Sequence, residues 1–340
     1  MNYLFSEAKD KTFLIYSSIA GYLYILFILI FQEYKGLGIH DSLWINLSLY
    51  QMIFLSWFFL LDGPHLWNTL SLLRNHRHRA FKISFVFIPL FPLITWILLS
   101  STSLKTLWLS ALFFYWLWSY FHILRQHEAF LVMYQRKQNQ SHWQDKAFFH
   151  FIGYFPLLIF FIEGYQFEML GLPRFLPKYP WLDLAMMFLY LIGFITYCVY
   201  LTLHKRWDYP QSKMLIWLCP LHGLALAHPG YVRFAMPIMT SGHNIQYHFW
   251  VWSFGQKYYS ESVFFRSVSL FLISGIIFTF IISAFQGLMP KDIYYESSKY
   301  QIIFDSFILG WTAQHYFLDG IIWKSKENEH LSDFLNAQKI

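Results

Sequence analysis

Long apolar runs recur about every 20 to 40 residues along this chain, separated by short polar stretches. They predict about ten membrane-spanning helices, near 13–31, 43–61, 83–100, 106–127, 147–163, 181–203, 213–228, 231–254, 264–286 and 301–323. The first run, Phe13 to Phe31, has charged residues before it and no small-residue cleavage site, so it reads as a span and not as a removed signal peptide. The seventh and eighth runs meet at "HPGY", where proline and glycine predict a tight turn or a broken helix. The expected fold is therefore all-α, a polytopic integral membrane bundle forming one transmembrane domain over residues 1–340.

Composition strengthens that picture. Of the 340 residues 56% are hydrophobic and only 13% charged, where an ordinary soluble domain carries about 25% charged residues. The net charge of +6 is explained by loops on one side of a membrane, with no nucleic-acid partner required. Of the 25 Lys and Arg residues, all but Lys35, Lys105, Arg174, Lys178, Arg233, Lys291 and Lys299 fall on the side of the N-terminus in the ten-span topology. That bias places both termini in the cytoplasm, and the compact loops suit a bacterial inner membrane. Cys198 and Cys219 sit alone inside predicted spans and read as small core residues.

The polar residues within the spans change the picture most. "LLDGPHLWNT" carries Asp62 and His65, "HILRQH" carries His122 and His127, "HNIQYH" carries His243 and His248, and "WTAQHYFLDGIIWK" carries His315 and Asp319. All four fall in the cytoplasmic halves of even-numbered spans. Ionisable groups at membrane depth are costly and mark function. Six histidines and two aspartates suffice for two metal ions with open positions, and imidazole plus carboxylate without thiolate suits non-haem iron or manganese better than structural zinc. Asp62 and His65 are three apart and His315 and Asp319 four apart, so each pair shares a helical face.

The two histidine pairs spaced by five fit less simply, since positions i and i+5 diverge by about 140° on a regular helix. Either each histidine serves a different metal, or a π-bulge brings both to one face. Gln126, Gln246 and Gln314 lie within two residues of these ligands and either orient the imidazoles or hydrogen-bond neighbouring helices. His222 reads as an extra ligand or a cavity residue, and His228, at the far end of its span, is left out of the metal site. His76 and His78 belong to a solvated basic loop, and His142, His150 and His204 lie near the same face.

This pattern resembles the integral-membrane, histidine-rich di-iron enzymes, the fatty-acid desaturases, alkane hydroxylases and lipid hydroxylases. "HILRQH" and "HNIQYH" fit their H-x4-H box, although no HH doublet occurs in the chain. The resemblance implies two iron ions held by His65, His122, His127, His243, His248 and His315 with Asp62 and Asp319. It also implies dioxygen as co-substrate and a lipid or other hydrophobic substrate to be hydroxylated or desaturated. Electrons would come from an external reductase or a ferredoxin-like donor, because no flavin or nicotinamide fingerprint and no iron–sulfur cysteine set is present. Alternative expectations are a mono-iron dioxygenase of the carotenoid-cleaving type, a metal- or proton-coupled transporter, and a bis-histidine haem protein.

Overall fold

The computed structural model describes residues 3–32, 49–73, 84–99, 102–164, 180–228, 231, 234–285, 299–323 and 329–337. Among the described residues the chain is helical and contains no strand. The helices are α1 (Glu7–Lys9), α2 (Ile19–Gln32), α3 (Leu49–Trp57), α4 (Gly63–Leu73), α5 (Phe87–Leu99), α6 (Thr102–Lys137) and α7 (Trp143–Ile162). They continue with α8 (Pro180–Leu203), α9 (Pro210–Ala227), α10 (Ala235–Tyr258), α11 (Val268–Phe285), α12 (Lys299–Ile322) and α13 (Glu329–Ala337). Two π-helical segments interrupt them, Asp10–Ile15 after α1 and Phe58–Asp62 between α3 and α4.

The chain forms two compact units, each built from two stretches of sequence. Unit 1 is Met1–Phe54 with Ile123–Gln246, and unit 2 is Leu55–His122 with Tyr247–Ile340. The boundaries fall inside α6 and α10, so each of these helices contributes one part to each unit.

In unit 1, α9 packs against α7, α8 and α2. Gly223 makes the approach to α8 possible, since a Cβ there would stand 2.5 Å from Tyr190 Cε1. Asp145 and Arg206 form a fully buried ion pair, with Nη2 2.9 Å from Oδ2 and Tyr197 donating to the carboxylate at 2.9 Å. A second buried carboxylate, Asp10, accepts from the Phe5 backbone at 2.9 Å and from the Tyr134 hydroxyl at 3.0 Å, fastening the start of the chain to α6. The outer face of α8 is bare of packing partners of this kind, with Leu184, Phe188, Leu191, Ile195 and Val199 all exposed.

In unit 2, α12 packs against α5 and α4, and α4 packs against α11. Small residues set these distances. A Cβ on Gly63 would lie 2.2 Å from Thr279 Oγ1, and one on Gly310 would lie 2.7 Å from the Phe87 carbonyl oxygen. Close backbone approach of this kind holds α4 and α12, which carry His65 and His315, at fixed spacing from their supports.

The expectation of ten spans is met only in part. Two helical segments among the described residues, Trp143–Ile162 and Leu184–Leu203, are long and apolar enough to cross a membrane. Glu7–Ile15 and Ile19–Phe31 make a third if their 45° bend is counted as one broken span. The predicted span near 43–61 begins outside the described residues, and two physical features bear on the others. Phe87–Leu98 and Val268–Ile282 are apolar but short, while α6, α9, α10 and α12 have the length but dilute their hydropathy with buried polar side chains such as His127, His222, His243 and His315. Much of the charge bias behind the predicted orientation lies outside the described residues, namely Lys35, Arg74, Arg77, Arg79, Lys82, Arg174, Lys178, Arg233, Lys291, Lys324, Lys326 and Lys339, as do His76, His78 and the Pro229–Gly230 junction.

Candidate metal centre

Four of the predicted ligands come together within unit 2. His65 stands on the first turns of α4, His122 on α6, and His315 and Asp319 one turn apart on α12. His65 Nε2 and His315 Nε2 are 2.7 Å apart. Asp319 Oδ2 lies 3.6 Å from His315 Nε2 and 3.7 Å from His122 Nε2. One ligand atom from each of His122, His315 and Asp319 falls within 4.8 Å of the others. Ligand atoms that share one first-row ion at about 2.1 Å stand about 3.0 to 3.4 Å apart, so small side-chain rotations bring this set into register. His65, His315 and Asp319 are buried, and only His122 keeps a minor exposed fraction.

The other half of each group is tied back into the protein. Tyr247 Oη donates to Asp319 Oδ1 at 2.6 Å. Thr69 Oγ1, one turn after His65, lies 2.6 Å from Tyr247 Oη, 2.6 Å from His315 Nδ1 and 3.3 Å from Asp319 Oδ1. With Tyr247 donating to Asp319 and Thr69 donating its one proton to Tyr247, the consistent tautomer has His315 Nδ1–H donating to Thr69. The Nε2 lone pair of His315 then faces His122 Nε2, His65 Nε2 and Asp319 Oδ2. Outer partners that fix tautomer and ring orientation in this way accompany metal-binding histidines generally. Two imidazole nitrogens and one carboxylate oxygen thus converge among largely buried side chains, with the His65 ring against His315, a donor set that could hold a divalent ion with positions left open.

Another predicted ligand in unit 2, His248, is placed differently. Both ring nitrogens of His248 are engaged, Nδ1 by Asn68 and Nε2 by the Leu61 carbonyl at 3.1 Å. Asp62 ends the π-helical segment and is not among the described groups whose ligand atoms converge.

His127, His222 and His243 belong to unit 1, where all three are buried. The helices answer the question raised by the five-residue spacing: α6 and α10 run as α-helix through both pairs, without a bulge. The members of each pair diverge, and the unit boundary passes between them. The π turns of this chain occur elsewhere.

The glutamines bind neighbouring helices through their amide nitrogens. Gln126 donates to the His243 carbonyl at 2.9 Å, Gln246 to the Leu14 carbonyl at 2.8 Å and Gln314 to Ser84 Oγ at 3.0 Å. The groups that do hold the ligands, Thr69 and Tyr247, escape sequence reasoning, although a signal exists for each. Thr69 follows His65 by four residues, and Tyr247 lies inside "HNIQYH" itself. The ring of His228 lies 4.7 Å from that of Tyr231.

Comparison with known protein families, with curated proteins and with solved structures finds no match for the chain. The class is therefore defined by fold and site alone. Among the described residues the protein is all-helical, with two helices long and apolar enough to cross a membrane, or three with the bent pair, and with histidine and aspartate groups that could hold a metal ion.

Proposed function

We propose that the chain is a multi-pass membrane enzyme that uses non-haem iron and dioxygen to hydroxylate or desaturate a lipid or other hydrophobic substrate, with electrons from an external reductase or ferredoxin-like donor. The convergence of ligand atoms from His122, His315 and Asp319, with His65 Nε2 against His315 and Asp319 held by Tyr247, supports this reading. A bound iron would supply one-electron redox chemistry toward dioxygen. The protein's own share is to hold neutral imidazoles, to aim one carboxylate oxygen at them, and to limit the access of bulk water. The mixed nitrogen and oxygen set favours this over a bis-histidine haem, which has no use for Asp319.

The membrane assignment rests on Trp143–Ile162 and Leu184–Leu203, the second of which buries only 17% of its residues inside the protein. An apolar surface of that size requires lipid or a partner to cover it. Metal analysis of the chain purified in detergent tests the proposal. Iron should copurify after iron-replete expression, should be lost in His315→Ala, and should give no Soret band. Retention of undiminished iron by His315→Ala, or a haem spectrum, would overturn it.

A further inference from the structure

We infer that one end of unit 1, where α7 begins and α8 ends, is a contact site for the headgroup of an anionic phospholipid, with Lys205 as its phosphate-binding side chain. The inference rests on the membrane part of the reading above and not on the metal. Hydrogen bonds bring the pieces of this end together. The Asp145–Arg206 pair joins the first turn of α7 to the chain just past α8. The Gln135 amide, in the last turn of α6, donates to the His142 carbonyl at 3.1 Å. Gln138 and Gln211 exchange two 2.8 Å hydrogen bonds between the chain after α6 and the first turn of α9.

Lys205 sets this end apart. Its φ of 52° lies in the left-handed region, which side chains without a short polar group rarely adopt. It closes α8 through a paired pattern: Lys205 N–H donates to the Thr202 carbonyl at 3.2 Å, and Arg206 N–H to the Leu201 carbonyl at 2.8 Å. Glycine is the usual residue at that position. The chain after α6 turns in the same way at Asn139, also with φ of 52°, but asparagine takes this backbone readily. At position 205 the backbone cost is retained together with an ammonium group, which argues that the side chain is used.

The surroundings identify its partner. Lys205 is exposed and makes no ion pair among the described residues, whereas Lys146 and Lys213 at the same end are held by Glu128 at 3.6 Å and Asp208 at 3.1 Å. Leu203 is 75% exposed, and two tryptophans stand open at this end, Trp207 at 42% and Trp143 at 73%. The Trp207 indole donates to Thr202 Oγ1 at 3.0 Å, which folds it back onto the last turn of α8. Trp143 opens, and Leu203 closes, the two segments long and apolar enough to cross a membrane. Tryptophans at segment ends mark the level of the lipid headgroups. An exposed ammonium at that level gains from the negative surface of a leaflet.

The test titrates the full chain in neutral detergent with phosphatidylglycerol or phosphatidylcholine, read by microscale thermophoresis. Phosphatidylglycerol should bind more tightly, and added salt should erode the difference. Lys205→Gly should lose about five-fold in affinity for phosphatidylglycerol, the share of one lysine at a charged leaflet, while Lys205→Arg keeps it. Glycine accepts the left-handed backbone, so without lipid the glycine variant should unfold no earlier than the wild type. Unchanged phosphatidylglycerol affinity in Lys205→Gly would overturn the proposal. Equal affinity of the wild type for the two lipids would also overturn it and leave an acidic protein as the occupant. The membrane reading is checked apart, by floating the chain with phosphatidylcholine vesicles after a high-salt wash. A chain that floats but fails the lipid titration sinks this proposal alone, and a chain that does not float sinks both.

Discussion

Tyr247 Oη donates a 2.6 Å hydrogen bond to Asp319 Oδ1, and that bond decides which oxygen of the carboxylate faces the histidines. Tyr247→Phe removes the bond without altering the ring. Outer partners of metal ligands typically contribute about 10- to 100-fold to affinity, and a loss of that size is expected here. Competition with a chromophoric chelator measures it, and the melting temperature of the metal-free protein should move far less than the affinity.

Thr69 joins His315 Nδ1 to both Tyr247 and Asp319. Thr69→Val should free the His315 tautomer and weaken metal binding by a similar factor, whereas Thr69→Ser should restore most of it. Equal behaviour of the two variants would show that the methyl packing matters and the hydroxyl does not.

His248 gives the converse expectation. Because Asn68 and Leu61 occupy its two nitrogens, His248→Phe should keep the full metal complement. It should lower stability by about 1–3 kcal/mol through unmet buried groups, read as a shift in thermal unfolding. Loss of metal without loss of stability would make His248 a ligand after all.

The ion pair of Asp145 and Arg206 is buried on both sides, at 0% and 4% side-chain exposure. Removing one partner strands a charge, so Asp145→Asn or Arg206→Met should each destabilise unit 1 by about 3–5 kcal/mol. The double variant should cost less than either single one, a non-additivity that a thermodynamic cycle in detergent would detect.

Gly63 meets Thr279 so closely that an added Cβ would lie 2.2 Å from Oγ1. Gly63→Ala should destabilise by about 1–3 kcal/mol from overpacking and should displace α4 with His65. Gly63→Ala combined with Thr279→Ala should recover part of both stability and metal content.

The helical character and the polar side chains worth watching were legible from the sequence, because periodicity and apolar runs report on local structure. His65, His122, His315 and Asp319 stood out for the same reason, as ionisable groups in greasy segments. What a linear reading could not supply was the partition. Nothing in "HILRQH" tells His122 to join unit 2 and His127 to join unit 1, since that depends on which distant helices α6 meets. Hydroxyls such as those of Thr69 and Tyr247 were invisible because their role arises only from contact across helices.

The 36 residues of α6 make a rod about 54 Å long at 1.5 Å per residue, against a hydrocarbon layer of about 30 Å. In the membrane reading, then, this helix outlasts the bilayer. Its polar half begins at His122 and runs through Arg125, which pairs with Glu128, to Arg136 and Lys137. In the proposed function, a charged helix end of that length would stand beyond the hydrocarbon, where a water-soluble reductant could dock while the substrate stays dissolved in lipid.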